Sequence, residues 1–307
     1  MPHGLLDSKK FNYILMAILV VNWGFEYIAA KAALDTLAPI VLVFFKYSVS
    51  MLLFLIIKMI RDRRFPFRKK DILPFAICAV IGDIIYFASE YQAMSYLPIS
   101  VLTIVLALIP AVSIITEFLI YKRRPNTAIV LGIVCCVIGV GMVVGADFDK
   151  LLSGRLIGYF LAIFAVLAWN TYNFVTENLT KSYSILDLSL YQAVGVFIIA
   201  APYVFFNLPP AGQVDMTVVL AVVYLGLLSA GVGLLIYVNA VRVIGVTPVA
   251  LYSNMMPITS SFFSFIILHE TIMPLQIVGG VVVITSACVV IWQKDKSDRV
   301  VRGLPGK

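Results

Sequence analysis

Ten apolar runs, each near the length of a bilayer, constrain this chain more than any other feature. About 20 apolar residues cross the hydrocarbon layer as a helix. Runs of that size stand at about 11–33, 38–60, 72–94, 98–121, 127–146, 156–178, 186–207, 217–242, 247–268 and 273–292, parted by short polar or Pro/Gly breaks. In lipid every backbone polar group must bond internally, so the pattern predicts an all-α integral membrane protein with ten transmembrane helices. Composition agrees, at 62% hydrophobic and 13% charged, against roughly 45–50% and 25% in soluble globular chains. Ordinary soluble enzymes are excluded, and the net charge of +7 is read against a bilayer rather than a nucleic acid. The first run, Phe11 to Ala33, is too long for a cleavable signal and has no small-residue cleavage pattern; it predicts a retained helix.

Basic residues then set the orientation, because Lys and Arg collect on the cytoplasmic side. With the amino terminus inside, 19 of the 23 Lys and Arg fall in cytoplasmic segments, among them Lys58, Arg61, Arg63, Arg64, Arg68, Lys69 and Lys70 around the first inner loop. The outer loops hold Lys150 and Arg155, while Lys31 and Lys46 lie within spans. One missed or invented span would scramble this alternation, so it supports ten spans with both termini inside and places the protein in the inner (plasma) membrane. The four cysteines, Cys78, Cys135, Cys136 and Cys288, sit in apolar runs as packing residues. The two histidines, His3 and His269, are too few for a His-based metal or triad site. No cofactor and no metal is expected.

Shifted by 146 to 147 residues, the halves align: Trp23 on Trp169, Ala93 on Ala240, Ser100 on Thr247, Pro110 on Pro257 and Gly132 on Gly279. The expected units are residues 1–147, residues 148–293 and a cytoplasmic tail at 294–307. Five spans per copy is an odd number, so the second copy must be threaded upside down. Charges agree, since the basic loop of copy one matches NLPPAGQVD, which has no Lys or Arg. Inverted five-helix repeats are an architecture of secondary transporters, with the substrate site near the midplane where the repeats meet.

The run from Trp23 and Gly24 to Lys31 resembles the WGxxxxxxK opening of the EamA branch of the drug/metabolite transporter superfamily, and Pro257 to Glu270 is similar to that family's second-copy span and loop. The resemblance covers nearly the whole chain. It implies a ten-helix transporter with a central cavity lined by the first four spans of each half, and transport of small organic metabolites or drug-like solutes. Two positions depart from the pattern: Arg123 stands where an acid is usual, and Lys46 where arginine is frequent.

An ionisable side chain at membrane depth is costly and faces protein or water, so each is a functional candidate. Seven qualify: Glu26, Lys31, Lys46, Asp83, Glu90, Glu117 and Glu177. Lys31, Glu117 and Glu177 lie near span ends, where snorkelling or pairing is the plainer reading. Helical spacing groups Trp23, Glu26 and Tyr27 in the first span, and Asp83, Tyr86, Phe87 and Glu90 in the third. Trp169 or Asn170 with Asn173 marks the sixth, Ser229 with Tyr237 the eighth and Tyr252 the ninth. The expected substrate-binding residues are Trp23, Glu26, Tyr27, Lys46, Asp83, Tyr86, Glu90, Trp169, Asn173, Tyr237 and Tyr252.

Three deep acids against one deep lysine favour a cationic or zwitterionic cargo, amine-like or amino-acid-like, held by aromatic faces. No GxxxxGK[ST] loop is present to draw on ATP. The expectation is therefore a secondary carrier working by alternating access, with Asp83, Glu26 and Glu90 as candidates for proton coupling, since a carboxylate in low dielectric binds its proton more tightly. The alternatives are an uncoupled facilitator or channel, and an intramembrane enzyme, for which the closest-spaced aspartate pair, Asp147 and Asp149, lies in an outer loop. Expected partners are a small-molecule substrate and the lipid bilayer, with no nucleic acid, in a monomer or homodimer.

Overall fold

The computed structural model describes residues 5–61, 63–122, 125–145, 156–210, 212–244, 249 and 252–301. Arg123, Asp147, Asp149, Thr247 and Pro248 lie outside them. The described residues are helical and contain no strand. The helices are α1 (Lys9–Leu34), α2 (Pro39–Arg61), α3 (Lys69–Ala93), α4 (Ile99–Leu106), α5 (Ile109–Tyr121), α6 (Thr127–Gly145), α7 (Leu156–Leu179), α8 (Ile185–Phe206), α9 (Met216–Ile244), α10 (Met256–Leu268) and α11 (Pro274–Val301). Among the described residues eight segments are long and apolar enough to cross a membrane, with α4 and α5 counted as one; two shorter apolar helices lie at Thr127–Met142 and Met256–Leu268. Side-chain caps start α1, α8 and α9, where Ser8, Ser184 and Asp215 accept from the backbone N–H of Phe11, Asp187 and Val218.

The fourth expected span is two helices rather than one. It turns at Ala107 and Leu108, and α5 restarts with Pro110 in its first turn. Proline has no N–H to give and is tolerated there, where that donor has no intrahelical partner anyway. The ninth expected span shows the same proline placement: α10 begins at Met256 with Pro257 in its first turn.

Backbone irregularities recur at the 147-residue offset more sharply than side chains do. Helix α3 widens into a π segment at Cys78–Ile85, and α9 does so at Leu225–Gly233. Helices α5 and α10 have 13 residues each, and each ends in a left-handed non-glycine residue, Lys122 at φ 55° and His269 at φ 54°. Packing partners exchange in the same way. Helix α1 packs on α9 and α10, as α7 packs on α3 and on α4 with α5, while α2 pairs with α8, α4 with α10 and α6 with α11. The end of α1 and the start of α7 lie on the same side of the bundle: Lys31 and Glu270 border a cleft of about 230 Å³ with residues 94–98, and Gly158 stands against Tyr96 and Leu97.

The main core joins α1, α2, α3, α4, α7, α8 and α9 around Tyr27, Leu42, Tyr91, Leu102, Leu190 and Leu225. Helices α6 and α11 form a close pair, joined to the main core through Val283 and Val140. A Cβ on Gly139 would stand 2.8 Å from the Val283 side chain and 2.9 Å from the Gly279 carbonyl, and the Cys136 thiol points at the Val283 carbonyl, 3.7 Å away. The approach is of the small-residue kind that lets membrane helices touch without a hydrophobic drive between them. Gly139→Val is expected to lower stability by about 1–3 kcal/mol through overpacking, measured as an earlier unfolding midpoint of the purified protein in detergent.

Candidate functional site

A buried polar cluster forms where α1, α2, α3 and α9 meet. Lys46 sits on α2 with 1% of its surface exposed, and Asp83 and Glu90 on α3 with 2% each. Lys46 Nζ is 2.5 Å from Glu26 Oε1, donates to the Tyr91 hydroxyl at 3.1 Å and lies 3.6 Å from the centre of the Phe87 ring. The other oxygen of Glu26 accepts from the Ser229 hydroxyl. Ser229 comes from the π segment of α9 and Asp83 from that of α3, so both wide turns deliver a polar side chain to the same region. Such turns occur often at functional sites because they redirect side chains out of the regular helical stripe. The α9 turn comes close to α2 through Gly226, where a Cβ would meet the Val49 side chain and stand 2.8 Å from the Lys46 carbonyl. Ser50 bridges the two by donating to the Gly226 carbonyl at 2.8 Å.

The two acids of α3 are held by phenols. Glu90 Oε1 accepts from Tyr27 and from Tyr86, both at 2.9 Å, and Asp83 Oδ1 accepts from Tyr47 at 2.6 Å. Asp83 Oδ2 is buried and has no hydrogen-bond partner among the described residues. Neither acid has an ion-pair partner there. Glu26 alone of the three is matched by a cation. An aromatic wall closes the group on the α7 side, with Trp169 4.7 Å from Tyr86 and stacked 4.8 Å from Tyr172; Tyr172 in turn donates to Gln192 of α8 at 3.2 Å. The cluster can therefore neutralise a cation, offer ring faces to it and exchange phenolic hydrogen bonds as charge arrives or leaves.

Of the residues singled out in the sequence, Glu26, Tyr27, Lys46, Asp83, Tyr86, Glu90 and Trp169 come together here. Trp23 and Tyr237 do not. They pair with each other, rings 5.6 Å apart, in a second cluster with Met16, Leu19, Ala240 and Val249, against which Tyr252 also packs. Tyr252 lies 6.2 Å from Tyr13. Asn173 is half-buried; its neighbour Asn170 accepts from Ser113 and donates to Thr116, both at 2.8 Å, tying α7 to α5. Tyr47, Tyr91, Tyr172 and Gln192 join the cluster without having been singled out. Their signal was present, since Tyr172 lies three residues beyond Trp169 and Tyr91 four beyond Phe87, on the same helical faces.

Outside the cluster, charged knots bind both ends of the bundle. At the α1 terminus Lys31 pairs with Glu270 at 3.0 Å; Glu270 also accepts from the Ile99 N–H at 3.0 Å and from the Ser264 hydroxyl. At the other end Lys58 of α2 pairs with Asp187 of α8 at 2.6 Å, both almost wholly buried. Lys58, counted in the sequence among the inner-loop charges, is thus an interior residue, because α8 covers it. Glu177 is exposed and Glu117 half-buried. Among the described residues no group of three or more His, Cys, Asp and Glu side chains is placed to hold a metal ion.

The EamA-like transporter family matches this chain twice, over residues 10–145 and 156–292. The uncharacterized transporters YvbV and YoaV of Bacillus subtilis (strain 168) are 22% and 18% identical to it, over 92% and 88% of this chain and 92% and 94% of their own. A WAT1-related protein of Arabidopsis thaliana is 24% identical over 98% of this chain and 94% of its own. A crystal structure of a protein 14% identical in sequence superimposes with a TM-score of 0.65, covering 92% of this chain and 99% of the other.

Proposed function

The chain belongs to the EamA-like transporter family, and from that premise we propose that it carries a small organic cation or zwitterion across the inner membrane by alternating access, in exchange for protons. It is a membrane transporter rather than an enzyme. In our reading, residues 1–147 and 148–293 are inverted repeats of five spans each, ten in all, with both termini inside. Support comes from the π turns, proline restarts and left-handed caps that recur 147 residues apart, and from the meeting of the α1 end with the α7 start.

One observation carries the choice of cargo: Asp83 and Glu90 are buried with phenol donors and no cation among the described residues. A carboxylate kept from water is stable when neutralised by a proton or paired with a cation. Protons and a cationic cargo thus compete for the same two groups, and that competition is the elementary step of an exchanger. Loading from one side releases protons there, and reprotonation on the other side displaces the cargo.

Thermal unfolding of the purified protein against amines, amino acids, nucleosides and anionic metabolites tests the cargo class, because a ligand that binds only the folded form raises apparent stability. A saturable upward shift is expected with cation-bearing compounds, larger at high pH than at low pH. Shifts from anions alone would overturn the reading.

A further inference from the structure

The Lys46 ammonium is held by the set of groups that recognises a primary ammonium on a ligand. Glu26 supplies the charge at 2.5 Å, the Tyr91 hydroxyl accepts a second N–H at 3.1 Å, and the Phe87 face covers the cation at 3.6 Å. Ser229 holds the far oxygen of Glu26 and so fixes the direction in which the carboxylate points. A carboxylate, a ring face and a hydroxyl converging on one nitrogen make a binding site whether the nitrogen belongs to the protein or arrives with a cargo. Lysine suits an exchangeable occupant, being a compact charge on a flexible four-carbon stem. It also has somewhere to go: its ammonium lies over the Phe87 ring, and Asp83 and Glu90 stand four residues before and three residues after Phe87 on the same helix, neither with a cation of its own among the described residues.

The geometry points to Glu26, Phe87, Tyr91 and Ser229 as the seat for a primary ammonium of the cargo, with Lys46 as a tethered occupant that the cargo displaces toward Asp83 and Glu90. The inference rests on the cation-carrier reading and adds the subsite and the displaced group. Displacement also moves a positive charge onto the two acids of α3, where it expels protons, so that cargo entry and proton release share one side chain.

Chemical rescue of the emptied seat is the test. The full-length Lys46→Ala protein in detergent is titrated with n-propylammonium chloride, which matches the lost end of the side chain, and its unfolding midpoint is recorded beside the wild type. The expected result is a lower starting midpoint than wild type and a saturable rise with propylammonium. Tetramethylammonium, too bulky and without N–H donors, and 1-propanol, without charge, should raise the variant no more than the wild type, and propylammonium should raise the wild type less than the variant, because Lys46 competes there for the seat. Adding Glu26→Gln should abolish the rise. If Lys46→Ala is not recovered folded, Lys46→Ser, which puts a polar atom in the emptied space, takes the same titration; if neither is recovered, extraction in propylammonium should rescue Lys46→Ala, and failure there counts against the seat. A rise no larger in the variant than in wild type, or one that survives Glu26→Gln, would overturn the proposal and leave Lys46 as a fixed helix clamp. The cation-carrier reading fails separately, through the wild-type panel above.

Discussion

Asp83→Asn is expected to leave the protein folded and to remove the pH-driven component of transport, by more than about tenfold, which corresponds to roughly 1.4 kcal/mol of lost coupling. The amide keeps an oxygen for the Tyr47 hydroxyl that Asp83 Oδ1 now accepts, so the local bond survives while the titrating group is lost. The sign of the pH effect follows from competition. A cationic cargo needs the ionised carboxylate, so its apparent affinity for the wild-type protein should fall as pH falls and protons take the site. In the variant, which has nothing to titrate at that position, affinity should be lower and flatter with pH. Proteoliposomes loaded with a cargo from the binding panel, under an imposed pH gradient, provide the measurement. Unchanged gradient-driven flux would take Asp83 out of the mechanism.

The second large effect concerns stability. Lys58 and Asp187 form an ion pair at 2.6 Å with side chains 3% and 5% exposed. Removing one partner of a buried pair strands the other charge and costs about 3–5 kcal/mol, whereas replacing both members is close to neutral. Lys58→Met should therefore lower the unfolding midpoint strongly. Combined with Asp187→Asn, which keeps an acceptor for the Ser184 hydroxyl that now donates to Asp187, it should recover most of the loss. A double variant as unstable as Lys58→Met would mean that Lys58 matters through other contacts. The pair joins α2 to α8, the two central helices that match each other under the repeat, and its counterparts 147 residues away are Phe205 and Ile40. A charge clamp thus holds one end of this helix pair and not the other, so the two ends of the bundle differ in what must be broken to separate them.

Much of the architecture was legible in the chain because the bilayer leaves few solutions. A run of about 20 apolar residues that cannot expose backbone polar groups becomes a helix, and most helix bounds lie within a few residues of those read from hydropathy, although α10 begins only at Met256 and α11 runs on to Val301, through most of the segment expected as a tail. The restarts at Pro110 and Pro257 fall inside runs that hydropathy reads as single spans. The π turns at Cys78–Ile85 and Leu225–Gly233 were not legible, since no residue type commands an i to i+5 bond; the turn arises from how α3 and α9 settle against their neighbours.

The same division holds for the site. That Glu26, Lys46, Asp83 and Glu90 had to face protein or water was determined by their position within apolar spans, since an ionised side chain facing lipid is too costly. Which of them would meet was open, because spans far apart in sequence can be arranged around one another in many ways without changing their hydropathy. Packing resolved it: Lys46 went to Glu26 rather than to either acid of α3, Trp169 joined the acids, and Trp23 and Tyr237 paired apart from them. Lys58, reckoned in the sequence with the inner-loop charges, was drawn inside by Asp187. Burial along a single helix is a one-dimensional property that a sequence carries, whereas the choice of partner depends on the close packing of several helices in three dimensions.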